Sequence, residues 1–202
     1  MLSNLNSTRA FNEANLTGPG CFAYPDMLEV GVTNSQTPGL PTLTLIEART
    51  HFAAWCIVSA PLVLGLDLRD RSAVESVWPI IANEGAIAIN QAWAGDSGVL
   101  VEAASDSVTL EHCGWGDDSC EHAAWMVWRK RLGGRAIAML LMNNRNTSAT
   151  VRASPQKAGA NCARSCHTRE VFTGEEHTLS AGEPLELLLA THGSALLLVT
   201  EQ

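Results

Sequence analysis

At 202 residues with 46% hydrophobic content, the chain can bury a core as one large domain or two small ones, and its composition is not that of a disordered protein. A net charge of -8, with 13 basic residues spread along the chain, leaves no electrostatic footprint for a nucleic-acid backbone. No apolar run approaches the ~18 residues of a membrane span, so neither nucleic acid nor membrane is an expected partner.

Residues 1–17 are rich in Asn, Ser and Thr with little apolar periodicity, and read as a poorly ordered lead-in or the remnant of a preceding helix. The first ten residues lack the basic and apolar segments of a signal peptide. Against that, six cysteines and three glycosylation sequons at Asn6, Asn15 and Asn146 fit a disulfide-permitting secretory route, in which case the beginning of the protein would be missing. The close pairs Cys113/Cys120 and Cys162/Cys166 are the expected bridges, with Cys56 a buried free thiol.

Residues 18–31 (GPGCFAYPDMLEVG) have the punctuation of a loop that holds side chains at fixed angles. They carry two carboxylates, Asp26 and Glu29, around the apolar Met27 and Leu28. The competing reading is a surface turn whose carboxylates face water. Residues 33–41 are dense in turn formers. Thr44 and Glu47 then have capping-box spacing, and apolar residues at helical intervals predict a helix from 45 to about 60 with one broad buried face. The run LVLGL at 62–66 has the pattern of a strand covered on both faces, with Asp67 at its end. Ser72 and Glu75 form a second possible capping box before an amphipathic helix on Val74, Val77, Trp78 and Ile81. This order of loop, helix, strand and helix implies βα units of a parallel sheet, with active residues at strand ends.

From about residue 98 the pattern changes to short strand-like runs at 99–103, 108–112, 123–131, 136–142, 149–153, 169–172, 185–190 and 195–200, which predict an antiparallel sandwich. The boundary falls near 94–97. His112, Cys113, Cys120 and His122 are possible zinc ligands, but their spacing is better explained by a hairpin disulfide. Trp115, Trp125 and Trp128 could form a sugar-stacking face, although Trp125 and Trp128 lie three apart on a strand, which puts at least one of them in the core.

Several strings together resemble one family, the family-27 glycoside hydrolases, the α-galactosidases or melibiases. GPGCFAYPDMLEVG is similar to the family's glycine-rich segment around Pro-Asp-Met, and residues 47–69 (EARTHFAAWCIVSAPLVLGLDLR) resemble its following helix and last barrel strand. Residues 86–91 (AIAINQ) resemble the segment leading out of the barrel, and 125–151 and 169–199 its C-terminal β domain. The fold this implies is α/β plus all-β, the last two βα units of a (β/α)8 TIM barrel followed by a C-terminal antiparallel β-sandwich. The implied division is 1–17 lead-in, 18–95 incomplete barrel and 96–202 sandwich, since a whole barrel needs about 200 residues or more.

The resemblance implies hydrolysis of terminal α-galactosides by a retaining two-aspartate mechanism, without cofactor or metal, in a secreted, lysosomal or vacuolar setting. Both catalytic aspartates of the family lie on earlier strands that this sequence does not contain, so the chain alone is expected to be inactive. The helix over 45–60 is expected to expose apolar surface toward the absent barrel. Asp26 and Met27 match the residues that line the family's galactose pocket, and Asp67 and Arg69 match a DLR for which a structural ion pair is the expected role. Upstream the chain departs from the family's Trp-Asn-Asp, carrying Phe22, Ala23 and Tyr24 instead, with Cys21 in place of a glycine. The alternative is a stand-alone, non-catalytic carbohydrate- or protein-binding β module with a barrel remnant.

Overall fold

The computed structural model of the chain describes residues 1–36, 38, 42–114 and 117–202, and the backbone alone at 111–114, 117 and 118. Among the described residues the helices are α1 (Leu2–Glu13), α2 (Leu45–Ile57), α3 (Arg71–Ile81) and α4 (Glu84–Gln91). The strands are β1 (Val99–Ala103), β2 (Ser107–Gly114), β3 (Asp117–Ala123), β4 (Trp125–Gly133), β5 (Ala136–Asn143), β6 (Ala149–Ala153), β7 (Ser165–Glu170), β8 (Glu176–Ser180), β9 (Leu185–Leu189) and β10 (Ser194–Glu201).

In place of a poorly ordered lead-in, residues 2–13 form α1. Leu2, Leu5 and Thr8, three apart, make its buried stripe. The polar residues that obscure the pattern are tethers: the Asn12 amide donates to the Gly98 carbonyl at 2.8 Å, and Asn6 Nδ2 lies 3.1 Å from His122 Nδ1. A helix this short is marginal by itself, so these contacts decide its formation.

α2 begins at the expected capping box, in which the Glu47 amide donates to Thr44 Oγ1 and the Thr44 amide to the Glu47 carboxylate. Its burial differs from expectation. Every residue from Thr50 to Ile57 is buried, so the helix is enclosed on all sides, and of its large apolar residues only Leu45 and Ile46 in the first turn are exposed. A helix apolar all round is one that belongs inside. α3 is capped by Asp70, whose carboxylate accepts from the Ala73 amide, rather than by a Ser72–Glu75 box, and it buries Ala73, Val77 and Ile80 while Trp78 is exposed. The strand expected over 62–66 is reduced to one parallel bridge, Leu28 to Leu64. Leu28 donates to the Val63 carbonyl at 2.7 Å and Gly65 to the Leu28 carbonyl at 2.9 Å. Val63 is exposed, so the run is not covered on both faces.

The β region is antiparallel throughout. β1-β4-β5-β10-β7-β8 form a six-stranded sheet, with β2-β3 and β6-β9 as separate two-stranded ribbons. Two strands escaped the sequence reading, β3 and β8, both polar and each bordered by a single partner strand. The run expected at 169–172 lies earlier, at Ser165–Glu170.

Side-chain alternation along the central strands separates two cores. Met126, Trp128, Ala138, Leu140, Met142 and Leu196 pack with Phe52, Trp55 and Ile57 of α2. Val127, Met139, Leu141, Leu197 and Val199 pack instead with the β6-β9 ribbon. Trp128, once a candidate for sugar stacking, is fully buried on the α2 side. Cys162 and Cys166 form the expected disulfide, while Cys56 is a buried free thiol and Cys21 an exposed one. Cys120 is also disulfide-bonded. The side chains of His112 and Cys113, and all of Trp115, lie outside the described residues.

One buried charge joins the layers. Lys130 on β4 is wholly inaccessible, and its ammonium donates to Ser59 Oγ at 2.6 Å, to the Asn90 carbonyl at 2.9 Å and to the Ile89 carbonyl. The last two belong to the final turn of α4, where helix carbonyls lack intrahelical partners and a cation is favourable. Burial pulls the Lys130 pKa from 10.5 to about 8. The unfolded chain therefore holds a proton that the folded chain releases between those values, and stability from this group rises with pH across that window. Lys130→Met is expected to lower stability by about 1–3 kcal/mol at pH 7 by stranding its acceptors. Urea unfolding of both proteins from pH 7 to 10.5 checks the titration, because the gap between wild type and variant should widen as pH rises.

Candidate functional site

Asp26 and Met27 stand between a tight turn and the parallel bridge. Pro19 and Gly20 occupy the turn's centre, closed by paired hydrogen bonds between Gly18 and Cys21 at 2.8 and 3.0 Å, and Gly20 has φ +87°, as a type II turn requires. Phe22 then packs edge-on against Trp93, and buried Thr17 accepts from the Ala23 amide. From Met27 the chain alternates, with Met27 and Glu29 exposed, Leu28 and Val30 fully buried. Burial of Leu28 and Val30 therefore fixes which side chains face outward.

Asp26 has φ +87°, a conformation rare for any residue but glycine, asparagine and aspartate. Two contacts hold it. Its carboxylate accepts from the Met27 amide at 2.8 Å, and its carbonyl accepts from Trp55 Nε1 at 2.7 Å. Trp55 is itself buried in the middle of α2, so the Asp26 backbone is anchored to the core while the side chain remains exposed. Such a backbone conformation costs of order 1–3 kcal/mol and persists where the surroundings over-determine it, often at binding sites. Met27 lies over Gly65: a Cβ there would sit 3.1 Å from the Met27 sulfur and 3.0 Å from the Leu28 carbonyl. Glycine at 65 is what lets the 27–28 segment come this close.

Asp67 is committed elsewhere. Its carboxylate takes a bidentate pair of hydrogen bonds from Arg69 Nε and Nη2, both at 2.9 Å, and another from the Arg69 amide at 3.0 Å, forming the ion pair expected of a DLR. Those bonds hold its pKa down at about 2. A carboxylate so fixed is a poor proton donor.

The sequence reading did not single out the histidines of the helix–sheet junction. His192 bridges Glu47 and Asn146, with Nδ1 2.8 Å from Glu47 Oε1 and Nε2 2.7 Å from Asn146 Oδ1. His51, one position before Phe52, is buried with no hydrogen-bond partner at either ring nitrogen. Its place three residues after Ala48 and four before Trp55 was the available signal, since both of those positions face inward. Among the described residues, no group of three or more His, Cys, Asp or Glu side chains is placed to hold a metal ion.

Residues 4–92 match the family described as alpha galactosidase A, the melibiases. The chain is 28% identical over 189 residues to alpha-galactosidase 3 of Arabidopsis thaliana, covering 94% of this chain and 38% of that one. It is 30% identical over 166 residues to the alpha-galactosidase of Cyamopsis tetragonoloba, covering 82% and 34%. Its fold resembles the alpha-galactosidase of Saccharomyces cerevisiae solved with raffinose, with a TM-score of 0.75 at 18% identity over 98% of this chain and 51% of that one. The chain carries a partial region of the family-27 α-galactosidases. A second family-27 structure, a β-L-arabinopyranosidase from Geobacillus stearothermophilus in complex with arabinose, matches with a TM-score of 0.78 at 19% identity, covering 99% of this chain and 42% of that one. The region spans somewhat more than a third of the plant α-galactosidases, and Asp26, Met27 and Trp55 all fall within the stretch matched to the family.

Trp55→Phe removes the donor to the Asp26 carbonyl while keeping an aromatic ring, and is expected to cost about 1–3 kcal/mol of stability. Asp26→Asn should be nearly neutral, because asparagine also tolerates positive φ and can accept from the Met27 amide, whereas Asp26→Val should cost at least as much as Trp55→Phe. Denaturant midpoints of the three variants test this ordering.

Proposed function

We propose that this chain is the C-terminal portion of an α-galactosidase-type glycoside hydrolase, with residues 18–95 supplying the last two βα units of a (β/α)8 barrel and residues 96–202 a β-sandwich. The observation that carries this reading is the parallel bridge between Leu28 and Leu64, joined through α2, with Asp26 and Met27 exposed beside it. A segment pairing in parallel with the next across an intervening helix is the unit from which such barrels repeat. Exposed Leu45, Ile46, Val63 and Trp78 support an incomplete barrel over a self-sufficient β module, because they give the remaining units apolar surface to pack on.

In the assembled enzyme Asp26 accepts hydrogen bonds from sugar hydroxyls and Met27 packs on the apolar ring face, while the two carboxyl groups of a retaining mechanism, about 5 Å apart, come from the earlier strands. The substrate in this reading is a terminal α-galactoside, and no cofactor is needed. Phe22, Ala23 and Tyr24 reshape the rim next to Asp26. The two half-cystines Cys162 and Cys166 and bonded Cys120 support a secreted or vacuolar setting, where disulfides persist.

The isolated chain is expected to leave a chromogenic α-galactoside intact. Joined behind the first six of the eight barrel units, taken from the Cyamopsis relative, it should hydrolyse that substrate, and Asp26→Ala in the joined protein should lower kcat/KM by about 10- to 100-fold. Turnover by the isolated chain that Asp26→Asn abolishes would overturn the assignment of Asp26 as a pocket wall.

A further inference from the structure

A cavity of about 530 Å3 lies where α1, α2, the β2-β3 ribbon and the loops flanking β6 and β9 meet, within the size range of small-molecule sites. His51 lines it from α2. This side chain is 2% exposed, both ring nitrogens lack partners, and its ring meets Trp55 edge-on at 4.1 Å between centroids. Burial pulls its pKa down to about 3, so the imidazole is neutral, with one donor and one acceptor. A buried donor and acceptor left unpaired are costly, which makes His51 the strongest pointer to an occupant.

The remaining lining sets the occupant's chemistry. Thr109 and Asn144 add neutral polar groups, while Leu2, Leu43 and Leu110 give apolar surface. Among the described residues the carboxylate in the lining, Glu47, is already engaged by His192 and by Thr44, no lysine or arginine lines the space, and the positive charge beside it is the Met1 α-ammonium, which helps hold the His51 imidazole neutral. A hydrocarbon would leave His51 unpaired. A molecule with hydroxyls on its edge and carbon-bound hydrogens on its face satisfies both walls.

We propose that this cavity binds a small polyol of about monosaccharide size, with His51 donating to one hydroxyl and accepting from another. The site is separate from the Asp26 face and does not depend on the function proposed for that face. Nitrogen-15 histidine spectra of the whole 202-residue chain, titrated with D-galactose and with cyclohexane, which has the ring's carbon-bound hydrogens and no hydroxyl, test it. A saturable shift of the His51 ring nitrogens with galactose, and none with cyclohexane, is expected. His51→Phe should weaken the affinity about tenfold, while His51→Gln, which keeps a donor and an acceptor, and Asp26→Asn should each leave it within about threefold. Absence of a saturable shift, meaning that water alone occupies the cavity, overturns the proposal. So does an equal response to cyclohexane, or loss of the galactose response in Asp26→Asn. Should His51→Phe fail to fold, the wild-type titration and His51→Gln decide.

Discussion

The hydrogen bond from Trp55 Nε1 to the Asp26 carbonyl ties the candidate site to the most enclosed helix of the chain. Asp26 sits in a backbone conformation that unstructured aspartate rarely visits, and its own carboxylate can offer only a local contact to the next amide. The indole supplies the long-range half of the restraint. Because α2 is packed by the sheet on one side and by α3, α4 and the 28–30 segment on others, Trp55 cannot move to follow a loosened loop. The orientation of the exposed Asp26 and Met27 side chains is thereby set from inside.

The six-stranded sheet makes this possible by serving two cores at once. β5 is buried along nearly its whole length, so alternate residues of one strand must satisfy α2 on one face and the β6-β9 ribbon on the other. An apolar-apolar pattern in a central antiparallel strand is the consequence, against the common case of one solvated face. Lys130 interrupts that pattern on the α2 side, and the interruption is structural: its ammonium closes the open carbonyls of α4 and the Ser59 hydroxyl at a single point. Two salt bridges, from Asp96 to Arg129 and to Arg131, join the segment after α4 to β4.

Much of this was legible residue by residue. The Thr44–Glu47 box, the start of α2, the Cys162–Cys166 bridge and the Asp67–Arg69 pair are all set by short-range chemistry, in which the partners are close in sequence. What escaped was non-local. α1 is a helix because Asn6 and Asn12 find partners more than 80 residues away. α3 buries Ala73, Val77 and Ile80 where a stripe of Val74, Val77, Trp78 and Ile81 was expected, because the neighbours that cover the helix, not its own periodicity, select the buried face. The run at 62–66 looked doubly covered, yet covering a strand requires neighbours, and only Leu28 pairs with it among the described residues.

By itself the sequence determined most of the antiparallel strands that begin at about residue 98, the residues able to cap and cross-link, and the family to which the strings in 18–91 are similar. These follow from periodicity, turn chemistry and motif order, which are properties of the chain as written. Only the tertiary structure decided that α2 is enclosed, that Trp128 is core, and that His51 faces a cavity without a partner. The physical reason is that burial and hydrogen-bond satisfaction are properties of groups brought together from distant positions, and no local pattern records which groups those will be.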